Sequence, residues 1–397
     1  MWIWQSKAWP NFEYDAYTLQ PALASARMAQ GRMLGVASSL KLVDLAALQL
    51  DGWAEEAIAT AQIEGEVLQV NSVRASAARR LGLEGASRAR RDARTEGTLD
   101  ILQAAVQSWD KPLKRAALLD WHAALFPTGR SGVTRLSPGA WRTHTQPMQI
   151  VTERLGKSDV VHYEAPASNA VPAEMKALLA WFEAHRIKPG MDGIVRSAIA
   201  HLWFEVVHPF EDGNGRIGRA LSELALAQDM HSSQRLFSLS HQMLQDRAGY
   251  YEQLNAASAQ GRMDVTAWVL WFVQCVEKAC LATLGHMQYA GAKTQYWSVL
   301  NEEHPKLTAS QKKVLNKLYD AGPGGYSGGM SAAPGRPKQA RTAARQSEGT
   351  LMSTEKYVAI AGVSRATAYR ELTDLVDAGL LLRTGQGRGT RYEIAAP

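Results

Sequence analysis

Apolar residues recur at helical spacing along most of the chain, and the places where that period fails mark its parts. Helical patterning begins near Leu19 and continues through 40–64, 98–126, 171–185, 194–207, 216–230, 265–281 and 310–319. In 194–207 the apolar stripe is Val195, Ala198, Ile199, Leu202 and Val206, and 265–281 is apolar almost throughout. The period shortens once in the middle: Gln149-Ile150-Val151 and Val160-Val161-His162-Tyr163 flank Arg154-Leu155-Gly156-Lys157, which predicts a β-hairpin. Residues 322–349 are rich in Gly, Ala, Ser and Pro and have no period, so they read as a linker. After it come helix (353–361), turn (Gly362-Val363), helix (364–378) and a glycine-rich hairpin (380–394). The expected fold is mainly α, divided into an N-terminal helical module (1–95), a central helical domain with one hairpin (96–290), a helix and linker (291–350) and a small C-terminal domain (351–397).

Before the first helix stand Trp2, Trp4, Trp9, Phe12 and Tyr14. They could form a binding surface, but packing of a small module is the expected use of so many large apolar rings. With 46% hydrophobic and 21% charged residues the chain is of ordinary globular composition. Cys275 and Cys280 lie five apart on a predicted helix, hence on different faces, which suggests neither a disulfide nor a metal pair and suits a reducing cytoplasm. The N-terminus lacks a signal-peptide pattern, and no run approaches the ~20 apolar residues of a membrane span. The formal net charge is +6, and residues 321–397 hold ten Lys/Arg against six Asp/Glu. The basic excess thus sits at the C-terminal end, where it points to nucleic acid rather than to membrane.

The chemistry concentrates in His208-Pro209-Phe210-Glu211-Asp212-Gly213-Asn214-Gly215-Arg216-Ile217-Gly218-Arg219. Pro209 disfavours helical geometry at the residue before it, so His208 is expected at the C-terminal end of 194–207, where the helix dipole favours imidazolium and strengthens the ring as a base. Gly213, Asn214 and Gly215 open the next helix with free backbone N–H groups, an anion cradle. Arg216 and Arg219 share a face of its first turn, where a bound polyanion would offset the dipole's cost for cations. Asp212 is suited to a divalent cation bridging phosphates. Base, metal carboxylate and cradle together describe nucleotidyl or phosphoryl transfer, and the lack of Lys-Ser or Lys-Thr after the glycines excludes a Walker A loop.

This stretch resembles the signature of the Fic family, His-Pro-Phe-x-(Asp/Glu)-Gly-Asn-Gly-Arg-x-x-Arg, without a gap. The resemblance implies a Fic helical fold and AMP transfer from ATP to a protein hydroxyl of Ser, Thr or Tyr. His208 would be the base and Asp212 would hold Mg²⁺. Gly213, Asn214, Gly215, Arg216, Ile217, Gly218 and Arg219 would bind the nucleotide, with Arg219 on the γ-phosphate. Gly215 stands where the kinase-like branch of the superfamily has lysine, which favours nucleotidyl transfer. Upstream, Thr60-Ala61-Gln62-Ile63-Glu64-Gly65 resembles the family's inhibitory motif, (Ser/Thr)-x-x-x-Glu-(Gly/Asn), so Glu64 would pair with Arg219 and restrain the enzyme. The hairpin resembles the flap that holds the target segment by strand addition, with Val151 and Thr152 among the nucleotide contacts. Residues 247–254 resemble the segment lining the adenine and ribose pocket, which nominates Tyr250 and Tyr251. Ser258 stands where the family often carries asparagine.

Arg74 to Arg94 is arginine-rich and reads as an exposed helix and loop, with nucleic-acid contact as the second reading. Residues 351–394 resemble a winged helix-turn-helix with Ser364 as N-cap and Arg365, Thr367, Tyr369, Arg370, Arg388 and Arg391 available for DNA; such domains also serve protein contacts and dimers. The expectation is a cytoplasmic protein adenylyltransferase using ATP and Mg²⁺, free of membrane, with a protein substrate, and DNA and a second copy as further partners. Removal of AMP, or transfer of another nucleotide, is the alternative chemistry. A DNA-binding regulator whose Fic domain senses nucleotide is the alternative of another class.

Overall fold

The computed structural model describes residues 1–83, 91–152, 160–187, 190–259, 261–321 and 351–395, without the side chains of 42, 43, 151, 152, 160, 321 and 388. The chain divides into two compact units, Met1–Met287 and Gln288–Pro397.

In the first unit α1 (Ala16–Ser39), α2 (Leu42–Ile63) and α3 (Val70–Arg80) are followed by α4 (Ala93–Gln107) and α5 (Arg115–Leu125). Two short hairpins come next: β1 (Arg130–Ser131) with β2 (Thr134–Arg135), then β3 (Gln149–Thr152) with β4 (Val160–Glu164). The first was not visible as a pattern because two-residue strands carry no period. The second is antiparallel as predicted, with a register shift between Ile150 and Val151; its turn lies outside the described residues. The unit closes with α6 (Val171–Ile187), α7 (Gly193–Val207), α8 (Asn214–Asp229), α9 (Leu239–Gln245), α10 (Arg247–Ser258) and α11 (Thr266–Glu303), whose residues from Gln288 on belong to the second unit.

The helix that carries His208 is the centre of this unit. All of α7 from Ile194 to Val207 is buried. Ile199, Leu202 and Val206 share one apolar cluster with α1, α11 and the N-terminal aromatics. Trp203, Phe204 and Val207 share another with α2, α4, α5 and α6. Trp2 packs edge-on against Tyr163, Trp9 against Phe12 and Trp203, and the indole N–H groups of Trp4 and Trp9 donate to Glu164 O (2.7 Å) and Glu174 Oε2 (2.9 Å). These rings pack, as expected of them, and the half-buried indoles of Trp4 and Trp9 find acceptors.

Helix α11 is longer than the predicted 265–281. Among the described residues it alone is long and apolar enough to cross a membrane, by length and composition, yet 56% of that window is buried. Trp268, Val269, Phe272, Val273 and Val276 lie in the core. The two cysteines on it are free and buried.

The second unit holds the end of α11, α12 (Ala309–Ala321), α13 (Thr354–Ala361), α14 (Arg365–Asp377) and the antiparallel pair β5 (Leu381–Thr384) and β6 (Arg391–Ile394). Leu315, Leu318, Tyr357, Leu372, Leu375 and Tyr392 are among its core residues. Ser353 and Ser364 cap α13 and α14 by accepting from Lys356 N and Thr367 N, and Gly362, at φ 72°, makes the turn between them. Glu371 collects the hydroxyls of Thr308, Ser310 and Tyr357, which ties α12 and α13 to α14. The predicted linker, 322–350, lies outside the described residues.

Candidate active site

Helix α7 stops where Pro209 forbids another turn, and His208 leaves it in the left-handed region at φ 48°, ψ 61°. Four residues then bring the chain to Gly213, also left-handed at φ 79°, the N-cap of α8. Only glycine fits there, because a Cβ would stand 2.9 Å from the Phe126 ring. Asn214 pins the loop by accepting from Phe210 N and donating to Phe210 O, both 2.9 Å. The Phe210 ring stacks on His122, centroids 4.2 Å apart. A polar loop this closely tied is a preorganised one.

In front of the loop is a cavity of about 440 Å³, within the range of small-molecule sites. His208, Glu211, Asp212, Gly213, Asn214 and Gly215 form its floor, with Glu205 beside them. Met148, Ile150 and His162 of the β3–β4 hairpin face it on one side; Tyr250, Tyr251, Leu254 and Asn255 of α10 face it on another; Glu64 reaches in from α2.

Arg216 and Arg219 are buried behind the floor, each held by a carboxylate from the end of α2. Arg219, 1% exposed, donates to Thr60 Oγ1 (2.7 Å), Thr60 O (3.0 Å) and Glu64 Oε1 (2.7 Å). Arg216 Nη1 donates to Glu66 Oε2 at 3.2 Å. The end of α2 explains how one turn delivers both acids. Gly65 takes φ 78°, its N–H donates to Gln62 O (3.0 Å), and Glu66 N–H donates to Ala61 O (2.9 Å), which is a Schellman motif. Gly215 makes the approach possible, since a Cβ there would stand 2.2 Å from Glu64 Oε1. Among the described residues Arg219 Nη1 and Arg216 Nε are buried without a hydrogen-bond partner, so both arginines hold donors in reserve.

The dipole argument for His208 is overturned. Burial dominates and pulls its pKa down to about 4, against a smaller opposing effect of the Glu205 carbonyl, so the ring is neutral at pH 7. Its Nδ1 lies 3.3 Å from Glu205 O, which leaves Nε2 for the cavity. Burial acts the other way on Glu205, whose carboxyl is pushed up to about 8.

Other sequence readings need correction. Ile217 lies in the apolar core and Gly218 packs where a Cβ would stand 2.5 Å from Glu205 Oε1, so neither faces the cavity. Asn214 spends its side chain on Phe210, as above. Tyr250 and Tyr251 do line the cavity, and the Tyr250 hydroxyl is 2.9 Å from His201 Nε2. Asn255, not position 258, is the polar side chain further along α10 that faces it; Ser258 is buried and donates to Leu254 O. Val151 and Thr152 belong to β3, and their side chains lie outside the described residues. The arginines of α3 are not a free basic face: Arg74 pairs with Asp51 (2.7 Å), and Arg80 with Glu96 (2.7 Å) and Asp100 (2.6 Å). Glu66, Arg142, Glu205 and Asn255 escaped the sequence reading. Only Glu66 had a local signal, standing one residue past the Gly65 turn.

A helical hairpin whose loop faces a cavity of small-molecule size describes a ligand site, and comparison with known proteins specifies it. Residues 112–226 match the Fic/DOC family, so the chain carries a Fic/DOC-family domain. Residues 2–83 match a domain of unknown function (DUF4172), and 346–395 match the C-terminal domain of DIP2311-like transcriptional regulators. The chain is 38% identical over 129 residues to protein adenylyltransferase fic-1 of Caenorhabditis briggsae, covering 32% of this chain and 22% of that one. A probable protein adenylyltransferase of Aquifex aeolicus (strain VF5) is 38% identical over 77 residues, 18% of this chain and 23% of its own. The matched stretch therefore spans less than a quarter of these curated relatives. A Fic domain containing signaling protein from Bacteroides thetaiotaomicron VPI-5482 shares the fold over 66% of this chain and 95% of its own, with a TM-score of 0.50 at 15% identity.

Proposed function

We propose that the first unit is a protein adenylyltransferase restrained by its own α2. The observation that carries this reading is a cavity lined by a neutral histidine and a helix N-terminus, with two arginines buried behind its floor and tied to acids at the end of another helix. The names of the curated relatives support the same chemistry. ATP would lie with its phosphates over Gly213 to Gly215 and its base toward Tyr250, Tyr251 and Asn255.

In the transfer, a hydroxyl oxygen of the protein substrate bonds to the α-phosphorus, the bond to the bridging oxygen breaks, and pyrophosphate leaves. The hydroxyl proton passes to His208 Nε2. A base with pKa near 4 is weak, but triphosphate beside it favours imidazolium and raises its basicity when it is needed. Asp212 fits a Mg²⁺ site of the kind completed by phosphates, since it faces the cavity. The ion would supply charge neutralisation on the phosphates. Glu64 holds Arg219 away from a γ-phosphate, and Glu66 does the same for Arg216.

The test is incubation with Mg²⁺ and α-³²P-ATP, with label measured on the protein and on a lysate. Glu64→Gly should label strongly, wild type weakly, and Glu64→Gly/His208→Ala not at all. Absence of label from Glu64→Gly that still binds ATP ends the transferase reading.

For the second unit we propose DNA contact through α14. Arg365, Tyr369 and Arg370 are exposed on that helix, and the match to the C-terminal domain of a transcriptional regulator supports the reading. Binding to duplex DNA should weaken steeply with salt, and Arg365→Ala/Arg370→Ala should reduce the slope of log K against log[salt] by about two. An unchanged slope assigns the unit to protein contacts.

A further inference from the structure

The C-terminal end of a helix leaves its last carbonyls without partners, and the end of α7 is buried, so each must be met from elsewhere. Phe204 O accepts from His208 N (2.9 Å), Glu205 O faces the His208 ring, and Val206 O accepts from the Tyr163 hydroxyl (2.5 Å). The remaining two fall to one side chain. Arg142, 1% exposed, donates from Nε to His208 O (2.8 Å) and from Nη2 to Val207 O (3.2 Å), while its backbone N–H donates to Pro209 O (2.9 Å). The rest of its fork goes to the foot of the β3–β4 hairpin: Nη2 to Pro166 O (2.5 Å) and Nη1 to Ser168 Oγ (2.9 Å), which in turn donates to His144 O (2.7 Å).

This arginine is buried against carbonyls and a hydroxyl, not against an acid. Three consecutive carbonyls, 207 to 209, converge on it where the backbone turns left-handed at His208. A non-glycine residue in that region costs on the order of 1–3 kcal/mol and persists only where its surroundings hold it. A planar guanidinium suits the task because its donors are fixed in one plane, whereas an ammonium offers a point charge. The helix dipole also favours a cation there.

We propose that Arg142 is a positioning residue for the transfer: it locks the left-handed turn that aims His208 at the cavity, and couples that turn to the hairpin beside it. Its charge acts on the ring as well. Around His208 stand Glu205 on its own helix, Glu64 from α2, Glu211 and Asp212 from the loop, Arg219 from α8, His162 from the hairpin, and Tyr250 and Tyr251 from α10. Beside these, the Arg142 charge disfavours imidazolium, while Glu64 and Asp212 favour it.

The inference rests on the transferase reading for its kinetic arm only. In a Glu64→Gly background, Arg142→Lys keeps the charge and loses the fork; it should lower kcat by roughly tenfold or more, with KM for ATP within about twofold and the pH profile unmoved. Arg142→Gln should lower kcat at least as far and shift the acid limb of the profile upward, because a cation beside the base has gone. The second arm needs no turnover: the His208 ring, assigned in ¹⁵N-histidine-labelled protein by its loss in His208→Ala, should titrate at higher pH in Arg142→Gln than in its parent. A parent that does not label ends the transferase reading and leaves this titration to decide. Parental kcat in Arg142→Lys, or an unmoved His208 titration in Arg142→Gln, overturns the proposal. Should the Gln variant fail to fold, Arg142→Lys decides through kcat, or, where the parent does not label, through the His208 ring signals, which parental positions would overturn.

Discussion

The two ends of the α7–α8 hairpin present cavities of similar size lined with charge, about 440 Å³ at His208 and about 490 Å³ at the opposite end. At the far end the charges are settled between α1 and the hairpin. Arg27 is gripped by Asp192 and Asp229, Asp192 also caps α7 through Ile194 N (2.8 Å), and Arg196 rests over the Phe182 ring while donating to Gln228 Oε1 (2.6 Å). At the His208 end the backbone is left-handed, donors on both arginines lack partners, and the neutralising acids arrive on a different helix. At the His208 end the hairpin supplies the cations and the end of α2 the acids, whereas at the far end the hairpin supplies the acids and α1 the cation. That difference separates a structural ion cluster from a site.

The contrast can be broken most sharply with Arg219→Ala in a Glu64→Gly background, which should cut kcat/KM for ATP by about a hundredfold or more through lost charge on the transferring nucleotide; labelling kinetics check it. The matching change at the other end, Asp229→Ala, should leave those kinetics within about twofold and instead cost about 2 kcal/mol in urea unfolding, as expected when a partly exposed ion cluster loses one member. Glu205→Gln probes burial. Glu205 keeps its proton in the folded chain up to about pH 8 but releases it near 4.5 when unfolded, so the wild type loses stability as pH rises through that window. The Gln variant should therefore gain stability over wild type progressively from pH 4.5 to 8, and parallel stability curves would refute the shift. Smallest is Glu66→Gln, which should lower KM for ATP by about twofold to threefold in the Glu64→Gly background, since the Glu66–Arg216 pair is partly exposed.

What could be read from the chain beforehand was what lies close together along it. His208, Gly213 and Arg219 belong to one short segment whose turn and helix are local events, and Glu64 with Gly65 forms a helix end of recognisable type. The helical fold and the β3–β4 hairpin were visible for the same reason, as periods. Arg142 was not, because its partners lie 24 and 66 residues away and an arginine followed by Thr143 carries no periodic signal. The local argument about His208 failed for a related reason: a helix dipole acts within a turn, whereas burial is set by the packing of distant elements. Charge counts left nucleic-acid contact open as a second reading around Arg74 and Arg80, because their acids Asp51, Glu96 and Asp100 sit on neighbouring helices.

Because the Schellman turn at Gly65 holds Glu64 and Glu66 in fixed relation at the tip of a packed helix, the two carboxylates meet their arginines as tethered groups. Their effective concentration is set by chain geometry and exceeds the millimolar level of a short flexible tether. On the proposed reading, free nucleotide, itself diluted in solution, would compete against acids that cannot diffuse away. A rise in ATP alone would then be a poor way to open the site, and a signal acting on α2, by contact or by covalent change near its end, an efficient one.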